Sequence, residues 1–274
     1  YMNLNKGHYS QFKQDLNVLK FYNNKKDLFF LDIGANDGIT YSNTYLLEKK
    51  YNWKGICSEP LPKAYDKLIK CRSVICDQNA VFSESNLKLF FSCSNIISGI
   101  TDYIDCHTGV KKKKQIEVNT ITLNDLLHKY NSPNIIHYLS LDTEGTEFEI
   151  LKNVNFNQYK FLCINLEHNF IEPKRTEIRN LLQDNGYLYV GENNVDDDYI
   201  HESILIGTYY KDNDFSSNPI IIEKKDNNVF SIKSDYWTDD ECLYDKSYIY
   251  FKPLNRGKIY YNYIDFGDQK WNKK

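Results

Sequence analysis

The sequence has no apolar run approaching the roughly 20 residues that a membrane-spanning helix needs. Its N-terminal stretch, YMNLNKGHYSQFKQ, is polar and has no apolar secretory core. Neither sign of charge dominates: 34 basic and 37 acidic residues leave a net charge of −3. No global field therefore draws the chain to nucleic acid or to an anionic membrane. There is no internal repeat. No two of the cysteines at 57, 71, 76, 93, 106, 163 and 242 are spaced as a zinc knuckle or a C-x-x-C redox pair. Several sit in apolar stretches, such as Cys163 in FLCINL. They read as small buried thiols of a reducing compartment, which sets the expected location as cytoplasmic. Tyr1 precedes Met2, which reads as a tag remnant or a cut from a longer polypeptide. Abundant Asn, Lys, Ile and Tyr suit an AT-rich genome, and a viral protein acting in a host cytoplasm fits that source.

What is present suits a globular chain, with 41% hydrophobic and 26% charged residues over 274 positions. That length allows one full α/β domain and a smaller addition. Strand-like and helix-like segments alternate. Phe29–Ile33, Gly55–Ser58, Ser73–Cys76, Leu87–Phe91, Ile136–Leu141 and Phe161–Leu166 read as strands. Helices are expected over Tyr45–Tyr51, Pro62–Lys70, Glu147–Asn153 and Arg175–Asn185, the last stopped by Gly186. Thr122-x-x-Asp125 is a capping box ahead of Leu126-Leu127. Tyr187–Val190 and Ser203–Tyr209 read as an antiparallel pair joined by a long acidic loop. Repeated strand–helix units predict a mostly parallel sheet with helices on both faces. Beyond Pro219 the pattern becomes alternating and Tyr-rich, so a small β-rich appendage is expected over 215–274. The main domain is then 1–214, with 1–27 a helical lead-in. Lys111–Lys114 reads as a solvated run.

The most informative segment is Leu31-Asp32-Ile33-Gly34-Ala35-Asn36-Asp37-Gly38. A strand enters a glycine turn, and Gly34 and Gly38 let the backbone bend tightly beside a ligand. Glu59 follows 21 residues after Gly38, at the end of the next strand, where a carboxylate can accept both hydroxyls of a ribose. Asn36 stands where a dinucleotide-binding turn has its second glycine, and Asp32 fits badly beside a diphosphate. An acidic residue there suits a cationic ligand.

Four segments together, LDIGANDGITYSNTYLLEK, WKGICSEPLPKAYDKL, NTITLNDLL and LSLDTEGTEFEILK, resemble the FkbM family of methyltransferases. The resemblance runs over roughly residues 8 to 208, and HYSQFKQDL is similar to an S-Q-x-x-Q-D element of one branch. It implies a Rossmann-like class I methyltransferase fold with a seven-stranded sheet, and S-adenosylmethionine as donor. It further implies that Asp32, Gly34, Asn36, Asp37 and Gly38 hold the methionine end and Glu59 the ribose. Asn79, Ala80 and Val81 would border the adenine, and Gln11 and Ser42 are further candidates for the pocket. Asp142, Glu144 and Glu147 form the family's acidic block.

Open α/β sheets bind ligands beyond the carboxyl ends of their strands. Asp142 ends one strand and Glu167-His168 its expected neighbour, so Asp142, Glu144, Glu167 and His168 are the candidate catalytic residues. Asp142, Glu167 and His168 could hold Mg²⁺, Mn²⁺ or Zn²⁺, which would lower the pKa of a substrate hydroxyl. Alternatively Glu167 or His168 is a metal-free base. Structural roles stay open beside these: Asp142 and Glu144 as helix caps, Glu167 paired with Arg175 or Arg179, and His168 as a satisfied imidazole. His8, His107, His128, His137 and His201 read as structural. The resemblance implies a sugar or glycan hydroxyl as acceptor. The tail aromatics Tyr236, Trp237, Tyr248, Tyr250, Tyr260, Tyr261, Tyr263 and Trp271 suit packing or a homodimer contact better than sugar stacking. Two rivals are an RNA 2′-O-methyltransferase and a catalytically silent binding module. Near-neutral charge and the lack of a matching lysine after Asp142 count against the first; the intact glycine turn and acidic block count against the second.

Overall fold

Strand β1 (Phe29–Ile33) is buried on both faces and lies in the interior of the larger sheet. Phe30 packs into one hydrophobic cluster while Leu31 and Ile33 pack into another. A strand covered on both sides must read as a continuous apolar run, which is why FFLDI was recognisable. The computed structural model describes residues 7–211, 220–226, 229–234, 237–245, 248–249, 257–260, 263–265 and 270–273.

The elements follow in chain order. Helix α1 (Gln14–Phe21) precedes β1, and α2 (Tyr45–Tyr51) leads to β2 (Lys54–Ser58). Next come α3 (Pro62–Cys71), β3 (Ile75–Asp77), β4 (Ala80–Val81), β5 (Lys88–Ser92), β6 (Gly99–Ile100) and β7 (Gln115–Ile121). The second half has α4 (Leu123–Lys129), β8 (Ile135–Leu141), α5 (Glu147–Leu151), β9 (Lys160–Glu167), α6 (Lys174–Asp184), β10 (Tyr187–Asn193) and β11 (Asp196–His201). The seven-stranded sheet has the order β10-β11-β9-β8-β1-β2-β3. Its β1, β2, β3, β8 and β9 are parallel, and β11 and β10 complete it antiparallel. Helices α1, α2 and α3 cover one face through Leu19, Leu47 and Leu68. Helices α4, α5 and α6 cover the other through Leu127, Leu151 and Leu182. This is the Rossmann-like methyltransferase architecture expected from the sequence.

Local signals explain several boundaries. Pro62 opens α3. Thr122 Oγ1 accepts from the Asp125 amide at 3.1 Å, capping α4, while the Asp125 carboxylate binds Ser85 Oγ instead of closing the box. Gly186 ends α6 at φ 82°. Two expectations change. Leu87–Phe91 is a strand, but it belongs to a separate four-stranded sheet, β4-β7-β5-β6. The partner of Tyr187–Val190 is not 203–209. It is the acidic stretch Asp196–His201, expected as a loop, which forms β11 between β10 and β9. Its three aspartates are tolerated inside the sheet because Arg175, Arg179, Gln14 and Asn165 bind them.

The remaining strands close into a barrel: β12 (Gly207–Lys211), β13 (Ile220–Asp226), β14 (Val229–Ser234), β15 (Trp237–Asp245), β16 (Tyr248–Ile249), β17 (Gly257–Tyr260), β18 (Tyr263–Asp265) and β19 (Lys270–Lys273). Neighbours pair antiparallel, and β12 closes the ring against β19. The barrel thus takes its first strand from residues 207–211, upstream of position 215. Ile222 of β13 joins the core cluster of the larger sheet. The expected roles of the tail aromatics, in packing or in a dimer, concern side chains outside the described residues. Among the described residues, no helix is long and apolar enough to cross a membrane.

Candidate active site

Parallel topology brings the carboxyl ends of β1, β2, β8 and β9 to one edge of the sheet, and a cavity of about 390 Å³ opens there. That volume falls within the range of small-molecule sites. The glycine turn forms its floor. Gly34 sits at φ 91°, and a Cβ there would lie 1.7 Å from the Asp142 carbonyl oxygen. The turn must therefore be glycine for β1 and β8 to end side by side. The amides of Gly34 and Ala35 both donate to Ser58 O at 3.0 Å, which ties the turn to β2. Asn36 follows at φ 47°, a left-handed conformation that Asn tolerates better than most residues.

Glu59 stands against this turn, 7% exposed. Its Oε2 accepts the Asn36 amide at 2.9 Å and its Oε1 the Leu61 amide at 2.7 Å. Each oxygen keeps a lone pair, and two hydroxyls of a diol could share the carboxylate. Burial pushes the Glu59 pKa up to about 7. Ala80 and Val81 of β4 line the wall beyond it.

Asp32 pairs in register with Ser140 of β8 and Cys57 of β2. Its carboxylate accepts from Thr44 Oγ1 and faces the Arg72 guanidinium at 3.9 Å. Burial raises its pKa and Arg72 opposes the rise. Arg72 is itself fully buried in side chain and also binds Glu48, Gly38 O, Ser42 Oγ and Thr44 Oγ1. One guanidinium thus joins the strand end, the turn and the start of α2.

At the opposite end of the cavity Asp142, Glu144 and Glu167 converge, with one oxygen of each within 4.8 Å of the others. Asp142 is open to the cavity. Glu144, at φ 61°, is 7% exposed. Glu167 Oε2 is buried and has no hydrogen-bond partner among the described residues. Desolvation inside the acidic cluster raises all three pKa values, and neighbouring carboxylates add to the rise. The structural alternatives for this group fail. Arg175 and Arg179 pair with Asp197, not with Glu167. Glu147, not Asp142 or Glu144, organises the loop, accepting the Thr143 amide at 2.8 Å and Thr143 Oγ1 at 2.7 Å.

His168 departs from the sequence reading. Its Nδ1 accepts the Phe170 amide at 2.9 Å and its Nε2 faces Asp197 Oδ1 at 3.5 Å. It does not line the cavity, and burial lowers its pKa. The imidazole is held through Nδ1 alone, since Nε2 is buried with no hydrogen-bond partner among the described residues, and Glu144 takes its place beside Asp142 and Glu167. Three expected donor-site residues also lie outside the cavity wall. Asp37 caps its own turn, accepting the Ile39 and Thr40 amides at 3.1 and 2.8 Å. Gly38 packs against Leu68 and Cys71 of α3. Asn79 binds Asp77 and offers its carbonyl to Ser58 Oγ at 2.8 Å. Gln11, Ser42 and Ala80 do line the cavity. Ser42 Oγ also accepts the Tyr45 amide at 3.1 Å at the start of α2.

The far wall was not anticipated. Asn95–Ser98, Ile100, Cys106 and His107 reach the cavity from the four-stranded sheet and the loop after it. Lys174 clamps this loop to the acidic one, donating to Asp105 Oδ2 and to Gly145 O. The two loops touch so closely that a Cβ on Gly145 would lie 2.2 Å from Tyr103 O. Among the described residues, no Lys or Arg lines the cavity.

Residues 32–189 match the family model of the methyltransferase FkbM domain. A search of curated proteins found no significant match. Among solved structures, methyltransferase FkbM from Methylobacillus flagellatus KT aligns at 10% identity and a TM-score of 0.42, over 64% of this chain and 44% of that one. Precorrin-6y C5,15-methyltransferase from Geobacter metallireducens GS-15 aligns at 14% identity and 0.36, over 68% and 85%. The N-terminal domain of human METTL16 aligns at 11% and 0.35, over 63% and 60%.

Proposed function

We propose that this chain, which belongs to the FkbM family of methyltransferases, transfers the methyl group of S-adenosylmethionine to a hydroxyl of a sugar or glycan. One observation carries the reading. A single cavity holds a glycine turn with the Glu59 carboxylate at one end and three carboxylates, with no Lys or Arg among the described lining residues, at the other. The donor lies with its ribose on Glu59, its adenine toward Ala80 and Val81, and its sulfonium over the turn. Its methyl group then points to Asp142, Glu144 and Glu167.

Methyl transfer is an in-line displacement on a reactive sulfonium, so holding the acceptor oxygen about 3 Å from the methyl carbon does much of the work. The carboxylates accept the hydroxyl hydrogen and take up its proton as the C–O bond forms, a contribution of about 10²–10⁴-fold. A cationic donor beside them opposes the rise in their pKa values, so the ionised carboxylates and the sulfonium stabilise one another. A cavity wall without Lys or Arg disfavours phosphate-bearing acceptors and so supports a neutral alcohol over RNA.

The three carboxylates also fit a hard divalent ion. Their oxygens are the donors that Mg²⁺ or Mn²⁺ takes, and Glu167 Oε2 lacks any protein donor. With His168 turned away, the set suits Zn²⁺ less well. A bound ion would lower the pKa of the acceptor hydroxyl, and Asp142, Glu144 and Glu167 would hold it. The test is methyl transfer to a panel of sugars and glycans, with and without chelator, for the native chain and for Asp142→Asn. The expected result is turnover on a neutral hydroxyl, and a variant that still binds the donor but turns over at least 100-fold more slowly. Full activity in Asp142→Asn would place the acceptor elsewhere.

A further inference from the structure

The acceptor end of the cavity has two unlike walls. One carries Asp142, Glu144 and Glu167. The other is a single hairpin, β5 and β6, joined through a 3₁₀ turn at Asn95–Ile97. Phe91, Ile96, Ile97 and Ile100 of this hairpin line the cavity. Phe91 and Ile100 pair across the two strands and belong to the core of the smaller sheet. Ile96 does not: it lines the cavity yet is 52% exposed. None of the three residues of the turn is buried, so Ile96 is not there to build a core. An apolar side chain left open on the wall of a binding cavity is surface for a ligand to cover.

The turn is held in this pose by its own polar groups. The Ser94 amide donates to Ser98 Oγ at 2.7 Å, and Ser98 Oγ donates to Asn95 O at 2.8 Å. Asn95 makes the bend with a left-handed backbone at φ 56°. The next residues place the turn beside the carboxylates. Gly99, three positions after Ile96, backs onto the acidic loop: a Cβ there would lie 3.2 Å from Glu144 Cβ and 3.3 Å from Thr143 O. A hydroxyl at Asp142 therefore has carboxylates on one side and hydrocarbon on the other. A group bearing hydroxyls would lose water against the hydrocarbon and gain no partner. A group without polar atoms would gain by burial there.

We infer that Ile96 determines acceptor specificity by packing against an apolar substituent, an alkyl chain or an aromatic ring, carried next to the hydroxyl that is methylated. This rests on the acceptor placement proposed above and narrows the substrate from a free sugar to a glycoside with an apolar aglycone.

The test measures methyl transfer to the methyl, octyl and phenyl glycosides of glucose, galactose and mannose, with octyl compounds kept below their micelle concentrations. On the native chain the octyl or phenyl glycoside of an accepted sugar has a KM about 10-fold below that of the methyl glycoside. A larger gain with octyl identifies a chain, and with phenyl a ring. Ile96→Ser brings these KM values together, and Ile96→Leu keeps them apart. Both variants bind S-adenosylhomocysteine within about twofold of the native chain by calorimetry, as expected for exposed substitutions, which also shows that they are folded. Equal KM values on the native chain would overturn the inference, as would a preference that survives Ile96→Ser. Clearly weaker S-adenosylhomocysteine binding by Ile96→Ser would assign this wall to the donor and overturn it too. A native chain that methylates none of these glycosides would instead bring down the sugar acceptor proposed above, and the inference with it.

Discussion

Replacing Arg72 by Met tests how the donor end of the cavity is held. The guanidinium is buried, and its five N–H groups reach two carboxylates, a carbonyl and two hydroxyls. Methionine keeps the apolar stem but removes the charge and every donor. Asp32 is then left buried without a counter-ion, and Glu48 keeps Lys49 and the Ser73 amide. Breaking a buried pair from one side costs about 3–5 kcal/mol, mostly because the stranded charge stays in a poor environment. At about 2–4 °C per kcal/mol for a domain of this size, the midpoint of thermal unfolding should fall by roughly 6–20 °C. Circular dichroism at pH 7 measures it. Adding Asp32→Asn and Glu48→Gln removes the stranded charges, so the triple variant should recover at least half of the loss. Arg72→Lys should fall between, because an ammonium supplies charge without the planar fork. A shift below 2 °C for Arg72→Met, or a triple variant no better than the single one, would refute this account of the turn.

Other outcomes follow from the same geometry. Gly34→Ala drives a Cβ into the Asp142 carbonyl at 1.7 Å with φ at 91°, so the folded yield should collapse; Gly109→Ala, with nothing within 4 Å, should behave as the native chain in the same thermal scan. Glu59 has its folded-state pKa raised from 4.5 to about 7 by burial. The folded chain therefore keeps this proton where the unfolded chain has lost it, and stability falls as pH rises through that window, by about 1.4 kcal/mol per unit at most. Binding runs the other way: ionised Glu59 is the better acceptor for ribose hydroxyls and the better partner of a cation. S-Adenosylmethionine should bind more tightly at pH 8 than at pH 6, and Glu59→Gln should flatten that slope. A native profile with no slope would separate Glu59 from the ligand.

The donor end of the site was largely legible because it is local. Asp32, Gly34 and Asn36 are neighbours in sequence, and Glu59 ends the next strand. The parallel strands, buried on both faces, announce themselves as apolar runs, so their ends were easy to place. Asp37 carried a signal that could have been used: an aspartate just before a turn tends to cap its own backbone. His168 failed for a reason of parity. Successive side chains at a strand end point to opposite faces, so Glu167 and His168 could not both enter one cavity. Asp196–Asp198 reads as an acidic loop in sequence because its partners Gln14, Arg175 and Arg179 lie far away in sequence or on another element. The wall at Asn95–His107 has no sequence pattern at all, since only tertiary contact defines it.

The ring formed by β12–β19 alters what can be removed from this molecule. A chain severed after residue 214 would keep β12 but lose both strands that bond to it. The orphaned ribbon would offer its amides and carbonyls to any passing chain, an invitation to aggregate. Severing at 206 avoids the ribbon but takes Ile222 out of the shared core, opening a hole in that cluster. The catalytic body and its C-terminal ring are therefore joined by packing as well as by covalent linkage, and trimming one should be felt as lost stability in the other.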